Sequence, residues 1–539
     1  MSAVAEFVER QPADAKAPVD NKWLVAGSVA VGAMMSAIDT SIVNVAMPHI
    51  RGSVGATIEE ITWVSTAYII AMVIVMPLTG FLGSFFGQKQ VYVASLVLFI
   101  AGSALCGMAH TLATLVIFRA IQGLGAGAIQ PTQQAILRQT FPQHEQGMAM
   151  AMLGMVLMLG PAIGPTLGGW ITDNYSWQWI FYINLPVGVL GLFMVAQFVH
   201  EPDDIRLANH ARAEAQRKNL DWQGVALITV GAATMQYVLE EGQRNDWFQS
   251  REISLIAFVA AVALAAFVVR ELTAPAPVVN LRLFRERTFM AGTVMGGMQF
   301  AVLMSSMFLM PLFMQEILGY SATQSGLLLA PRALVMMALM PVIGRLYNKV
   351  RPAAMIGAGI VLIAIGSFQL SRVTTQTSFA DLVFPMITTG VGFAALFVPL
   401  LTVSMCCIER SQLVDAAGMN SFFRQVGASI GITVFATLLT RFTTQARASI
   451  GWHVTPLRPE AMMQLQALQQ RATGLGFGTA ARHASMMFLD GRVSAQGAIL
   501  AFEKSFMLQG LCFLAILPLL AFLWKTRSTD SEKPTGGAE

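Results

Sequence analysis

Charge is what this chain has least of. Only 12% of its 539 residues are Asp, Glu, Lys or Arg, where soluble domains carry about a quarter, and this scarcity excludes an ordinary soluble globular domain. The net charge of +4 is small and its basic residues are not gathered in one tail, which argues against a nucleic-acid binder. Four cysteines, Cys106, Cys406, Cys407 and Cys512, lie in or beside apolar runs without metal-ligand spacing, so free thiols are expected rather than a disulfide framework or a zinc site. No P-loop, dinucleotide fingerprint or HExxH occurs, so nothing in the sequence points to a nucleotide or other cofactor or to hydrolysis. An ion gradient, or the gradient of the transported molecule itself, is left as the energy source.

Apolar residues, by contrast, make up 55% of the chain. A window of about 20 residues finds fourteen apolar segments, near 23–47, 61–82, 90–108, 112–136, 147–171, 179–198, 222–240, 252–270, 288–314, 325–346, 353–371, 381–405, 416–440 and 503–524. The first is too long for the apolar core of a signal peptide and contains an acid, which reads as an uncleaved span. Lys and Arg crowd one set of loops, from Lys16 and Lys89 through Arg212 and Arg345 to Lys525. The short opposite loops hold only Arg51, Arg244, Arg251 and Arg372. With an even number of spans, the positive-inside rule puts both tails, 1–22 and 525–539, in the cytoplasm. Eight of the nine tryptophans lie near span ends, at headgroup level.

Glycines suggest an internal repeat. Gly123 and Gly125 recur as Gly390 and Gly392, and Gly160 and Gly164 as Gly427 and Gly431; both sets stand 267 positions apart, 123 to 390 and 160 to 427. Coincidence is the alternative, since glycine is common in membrane helices. A duplication predicts two six-helix bundles, 23–198 and 288–524, with cytoplasmic linkers and two inserted spans between them at 199–287, a transporter architecture. Gly427-Ala-Ser429-Ile-Gly431 also fits the hydrolase elbow formally, but it follows no strand and lies within an apolar helix.

Asp39 and Arg119 carry the chemistry. Each is an isolated charge inside a span, about 13 and 12 Å below the outer helix end set by Pro48 and by Thr111, and an ionisable group at that depth is a functional candidate. If their helices line one cavity, Arg119 favours ionised Asp39 while burial favours the protonated acid, and substrate binding can tip that balance. The other possibility is an ion pair that only locks two helices. Gln122, one turn from Arg119, is placed to bond within the pair or to substrate. Arg332, directly after Pro331, suits either an acidic substrate or the carbonyl that the proline frees. Arg424 suits snorkelling or an inner gate. Met298, Gln299 and Phe300 sit in a methionine-rich span that suits a lipophilic pocket, or ordinary filling.

Several stretches resemble a known family. Asp39-Thr-Ser-Ile-Val-Asn-Val-Ala-Met-Pro48 is similar to the first-helix motif of the fourteen-span drug:proton antiporters of the major facilitator superfamily, the EmrB/QacA group. Arg119-Ala-Ile-Gln122-Gly123-Leu-Gly125 resembles the superfamily's fourth-helix motif. Gly160-Pro161-Ala-Ile-Gly164-Pro165-Thr-Leu-Gly168-Gly169 resembles the antiporter motif of the fifth helix, and Asp173 through Asn184 follows as in EmrB-like proteins. One departure stands out: the loop Gly80–Lys89 has Ser84 and Phe85 where the superfamily usually has the Asp and Arg of its charged latch.

The resemblance implies an all-α transmembrane fold and, in a bacterial inner membrane, a proton-coupled exporter of lipophilic small molecules, with the 160–169 motif conformational rather than ligand-binding. It also implies that the segment 441–502, facing the periplasm, docks a membrane-fusion adaptor (EmrA-like) that leads to an outer-membrane channel (TolC-like). A mobile cover over the outer cavity is the other reading of that segment, in which Met462 to Gln469 suggest a short amphipathic helix. A facilitator or exporter of one specific metabolite, working without an adaptor, is the alternative function. A membrane enzyme would need a clustered polar catalytic set that the sequence does not offer.

Overall fold

A computed structural model describes residues 21–218, 220–374, 376–455 and 457–523; the outermost parts of both tails, on which their cytoplasmic assignment partly rests, lie outside them. The described residues are helical, with no strand. In lipid a helix satisfies every interior backbone group by itself, and that makes it the available fold for so apolar a chain. The principal helices, in chain order, are α1 (Lys22–Val54), α2 (Trp63–Phe86), α3 (Gln88–Gly107), α4 (Leu112–Thr140), α5 (Gln146–Asn174), α6 (Trp179–Phe198), α7 (Asp203–Lys218), α8 (Trp222–Glu241), α9 (Arg251–Thr273), α10 (Arg287–Leu312), α11 (Ala322–Leu346), α12 (Pro352–Leu370), α13 (Phe379–Val403), α14 (Leu413–Gly451), α15 (Pro459–Gly474) and α16 (Ala481–Leu514).

Among the described residues, thirteen helical segments are long and apolar enough to cross a membrane. The fourteenth expected span, α8, is a helix of 20 residues whose Gln223, Gln236, Glu240 and Glu241 lower its mean hydropathy. It packs along α9, and it is also wedged between the two bundles: Arg244 donates to the Thr62 hydroxyl at 2.9 Å, Gln236 to Ser429 of α14 at 2.7 Å, and Thr433 of α14 to the Leu239 carbonyl at 2.7 Å. Gln236 and Glu241 therefore face protein rather than lipid.

The repeated glycines do the same work in each half. On α5, a Cβ at Gly160 would strike the backbone of Ala37 of α1, and one at Gly164 the side chain of Ser41; on α14, Gly427 and Gly431 press the same way on the backbone of Gly297 and Ala301 of α10. Gly123 of α4 meets the carbonyl of Tyr68 on α2 as Gly390 of α13 meets that of Arg332 on α11, and Gly125 meets α3 as Gly392 meets α12. Small residues let backbones approach where no hydrophobic drive separates protein from lipid. Equivalent glycines on equivalent helix pairs support a duplicated architecture.

The halves close on each other at the basic end. Gly147 of α5 and Gly344 of α11 stand so near that a Cβ on either would lie 2.9 Å from the other's carbonyl oxygen. The site of a Cβ on Gly80 of α2 is filled by the carboxylate of Asp415 on α14. Arg138 donates to the Thr402 carbonyl at 2.7 Å, and Arg410 to that of Gln139 at 3.0 Å.

Two boundaries differ from the sequence expectation. Pro48 does not end α1, which continues to Val54; a membrane helix tolerates proline when neighbours satisfy the freed carbonyl. The expected loop at 441–502 is largely helix. α14 runs on to Gly451 and α16 begins at Ala481 rather than near 503, with the short helix α15 between them. At 1.5 Å per residue α14 is about 58 Å long, nearly twice the ~30 Å hydrocarbon thickness, so a helical hairpin stands clear of the bilayer. Arg447 and Asp490 pair across it at 2.7 Å, and Leu468 and Ala472 of α15 are buried against it.

Candidate functional site

Asp39 is wholly buried on α1, about four turns short of that helix's end, and the described structure gives it three donors. Arg119 of α4 donates from Nη1 to Oδ2 at 2.7 Å. Gln122 Nε2 donates to Oδ1 at 2.8 Å, and Asn184 Nδ2 of α6 to the same oxygen at 2.9 Å. Arg119 also donates from Nη1 to the Gln122 side-chain oxygen at 2.8 Å and from Nε to the Val64 carbonyl at 3.2 Å. Its guanidinium lies 4.1 Å from the ring centre of Tyr68, close enough for a cation–π contact. The two charges thus cancel inside a cage built by α1, α2, α4 and α6. Charge-assisted bonds of this kind are short and strong, and breaking one partner leaves a buried ion.

The structure brings Asp39, Arg119 and Gln122 into contact, with Gln122 bonded to both members of the pair. The sequence did not mark Asn184 and Tyr68 as members. Asn184 had left a signal, being a polar residue near the start of an apolar span. Tyr68 had left none, since an aromatic in a membrane helix is unremarkable. Gln133 and Gln134, buried on α4 with no partner for either amide, were also missed; polar residues near a span's end read as its boundary.

The antiporter-type glycines lie against this site from behind. Gly160, Gly164 and Gly168 contact Ala37, Ser41 and Ile42, which bracket Asp39. Gly169 faces open space. α5 is continuous from Gln146 to Asn174 through positions 161 and 165, so the motif acts as a packing seam.

The remaining candidates lie in the second half. Arg332 is buried and donates to the Ser306 hydroxyl at 2.9 Å, not to a carbonyl freed by Pro331. Arg424 is also buried, which corrects the snorkelling expectation; it donates from Nη2 to the Ser421 hydroxyl at 3.1 Å and its guanidinium stands 5.3 Å from the Phe300 ring. Gln299 is buried with its amide nitrogen unpartnered. Met298 and Phe300 are half-buried against the main core. Three consecutive helical residues point in different directions, so these do not form one surface.

A doubled helical bundle closed at one end, with an ion pair held at bilayer depth, defines a secondary transporter rather than an enzyme. The sequence profile of the Major Facilitator Superfamily matches residues 29–432, and the chain belongs to that superfamily, in its EmrB/QacA group. It is 31% identical over 497 residues to the multidrug export protein EmrB of Haemophilus influenzae, covering 92% of this chain and 94% of the relative. It is 30% identical over 493 residues to the fatty acid resistance protein FarB of Neisseria gonorrhoeae, with the same coverage. Among solved structures the proton:xylose symporter XylE superposes with a TM-score of 0.58 at 14% identity, over 94% of this chain and 99% of XylE. The human organic anion transporter MFSD10 gives 0.57 at 13% identity, over 92% and 99%. These two likenesses speak for the fold alone.

Proposed function

We propose that this multi-pass transporter exports lipophilic compounds in exchange for protons, with Asp39 as the proton carrier. The observation that carries the reading is the buried cage of Arg119, Gln122 and Asn184 around Asp39. A proton arriving on Asp39 cancels its charge and weakens the hold on Arg119; departure of the proton restores the pair. Each event changes the contacts of α4 with α1 and α2, and α2 runs on to the closed basic end, where Gly80 meets Asp415. A chemical change on one carboxylate is thereby linked to the opening of the gate, which is what coupling requires. The halves meet at the basic end, so the structure suits a state open to the far side, from which the proton enters.

The names of the relatives, a multidrug export protein and a fatty acid resistance protein, support lipophilic substrates, and the crowding of Lys and Arg in one set of loops supports a bacterial inner membrane with both tails in the cytoplasm. The protruding hairpin supports a partner on the outer side: Trp452, Leu457, Met463 and Met487 are 61% to 93% exposed on it, more than isolated surface residues need. A periplasmic adaptor leading to an outer-membrane channel is the partner that fits a face beyond the bilayer.

The test is Asp39→Asn in reconstituted vesicles with an imposed pH gradient. The amide keeps the size and one acceptor oxygen of the carboxylate but carries no charge and no titratable proton. Gradient-driven accumulation should vanish while substrate binding persists. Undiminished uphill transport by this variant would remove Asp39 from the mechanism.

A further inference from the structure

The four thiols of this chain fall into two kinds. Cys106 is buried and Cys512 half-buried, whereas Cys406 and Cys407 are exposed, and no step of the transport cycle described above uses them. They are neighbours in the turn that follows α13, and their sulfurs stand 3.0 Å apart. The turn lies at the basic end of the molecule, the cytoplasmic one in the reading above, where a reducing environment keeps thiols free.

Backbone geometry decides what such a pair can hold. Adjacent Cα atoms are about 3.8 Å apart, closer than the roughly 4.4–6.8 Å that a disulfide spans, so direct oxidation of the pair closes a strained ring. One soft atom inserted between the sulfurs relieves that strain: a thiophilic centre bonded to both at about 2.3 Å holds them about 3.3–3.8 Å apart, a small opening from where they already stand. A tetrahedral zinc ion asks for four ligands, and among the described residues no group of three or more His, Cys, Asp or Glu side chains is placed to hold a metal. A trivalent arsenic that already carries one carbon substituent asks for two sulfurs and no more.

The surroundings suit that substituent. Cys407 lines a cleft of about 710 Å³ in which Pro275, Pro277, Leu283 and Ile408 offer apolar wall, a volume within the usual range of small-molecule sites. The strap that carries the two thiols is tied near both ends to α4 of the other half, by Arg138 on the Thr402 carbonyl and by Arg410 on that of Gln139, so the pair is presented on an anchored segment.

We infer that Cys406 and Cys407 form a vicinal-dithiol site for trivalent organoarsenicals, with the arsenic bridging the two sulfurs and its carbon substituent in the cleft. Both S–H bonds and the arsenic–oxygen bond of R–As=O break, two arsenic–sulfur bonds form, and the two protons leave with the oxygen as water. Arsenic stays trivalent, so no oxidant or reductant takes part. The site is independent of the export reading, since neither proton coupling nor the direction of transport enters it.

Phenylarsine oxide is the probe, added in equimolar amount to the full-length protein in detergent, with intact mass as the readout. The wild type should gain one phenylarsenic group per chain, mapped by digestion to the fragment that carries residues 406 and 407. It should lose that group to 2,3-dimercaptopropanol but not to the same concentration of glutathione, because only a dithiol can match a chelate. Loss of one sulfur removes the gain from chelation, so Cys406→Ser and Cys407→Ser should each bind about a hundredfold more weakly, while Cys106→Ser and Cys512→Ser bind as the wild type does. An unmodified wild type, an adduct that maps elsewhere, or full retention of the adduct by either Cys406→Ser or Cys407→Ser would overturn the site. Mapping on the wild-type protein reads the site without any variant, so a variant that fails to fold does not shield the proposal.

Discussion

A single guanidinium shows how much one side chain can be asked to do. Arg119 spends Nη1 on Asp39 and Gln122, Nε on the Val64 carbonyl, and its face on Tyr68. Lysine offers a point charge in place of that fork. Arg119→Lys is accordingly expected to keep the charge balance and lose the geometry, with turnover in vesicles falling roughly tenfold, while Arg119→Gln, which leaves Asp39 without its cation, loses coupled transport altogether. Equal and complete loss in both would mean that geometry alone matters. At this scale the sequence was legible wherever a charge interrupts an apolar run, because such an interruption has few cheap explanations. Tyr68, Gln133 and Gln134 escaped because aromatic and amide side chains are tolerated in membrane helices without comment. Their roles arise from which helices happen to stand beside them.

Helix pairs set how the site is held and how it reports to the gate. Gly164 allows α5 to lie on Ser41, two residues from Asp39, and Gly164→Leu must push the two helices apart; overpacking of this kind costs about 1–3 kcal/mol. The expected outcome is a lower unfolding midpoint in detergent together with loss of transport, whereas Gly169→Leu, where nothing stands within 4 Å, should be near neutral in both. Packing seams of this sort could be read from glycine spacing. The gate could not. The loop after α2 lacks the Asp and Arg of the family pattern, and in their place the linker helix α7 reaches in. Arg212 pairs with the buried carboxylate of Asp415 at 2.7 Å, directly over Gly80, and the Ser84 hydroxyl bonds to the Gln216 side-chain oxygen at 3.0 Å. Nothing in a polar linker announces a partner 203 residues away. Arg212→Ala should leave Asp415 as a buried unpaired charge and loosen the closed end, raising the labelling rate of a cysteine introduced at Met76 about tenfold. The exchanged pair Arg212→Asp with Asp415→Arg should restore protection in part. An unchanged labelling rate in Arg212→Ala would deny the pair a gating role.

For the whole molecule, the helical fold and its spans follow from apolar length, and the two halves are suggested by repeated glycines, both of which survive in a single sequence. The outer hairpin did not follow, because the polar residues that end a membrane span do not end a helix. Deleting α15 and joining 458 to 475 distinguishes its two uses. If the hairpin docks a partner, vesicle transport should stay within about twofold of wild type while drug resistance in cells with an outer membrane is lost; if it covers the cavity, turnover in vesicles should itself change. The same geometry has a mechanical side. α14 is one unbroken helix of 39 residues that begins beside the Asp415 latch, passes Arg424 in mid-membrane, and ends on the far side at the exposed hairpin. A tilt of about 10° at its foot carries a tip some 58 Å away through roughly 10 Å. A rigid tilt of the helix at that latch would therefore appear, enlarged, as a stroke at the exposed tip.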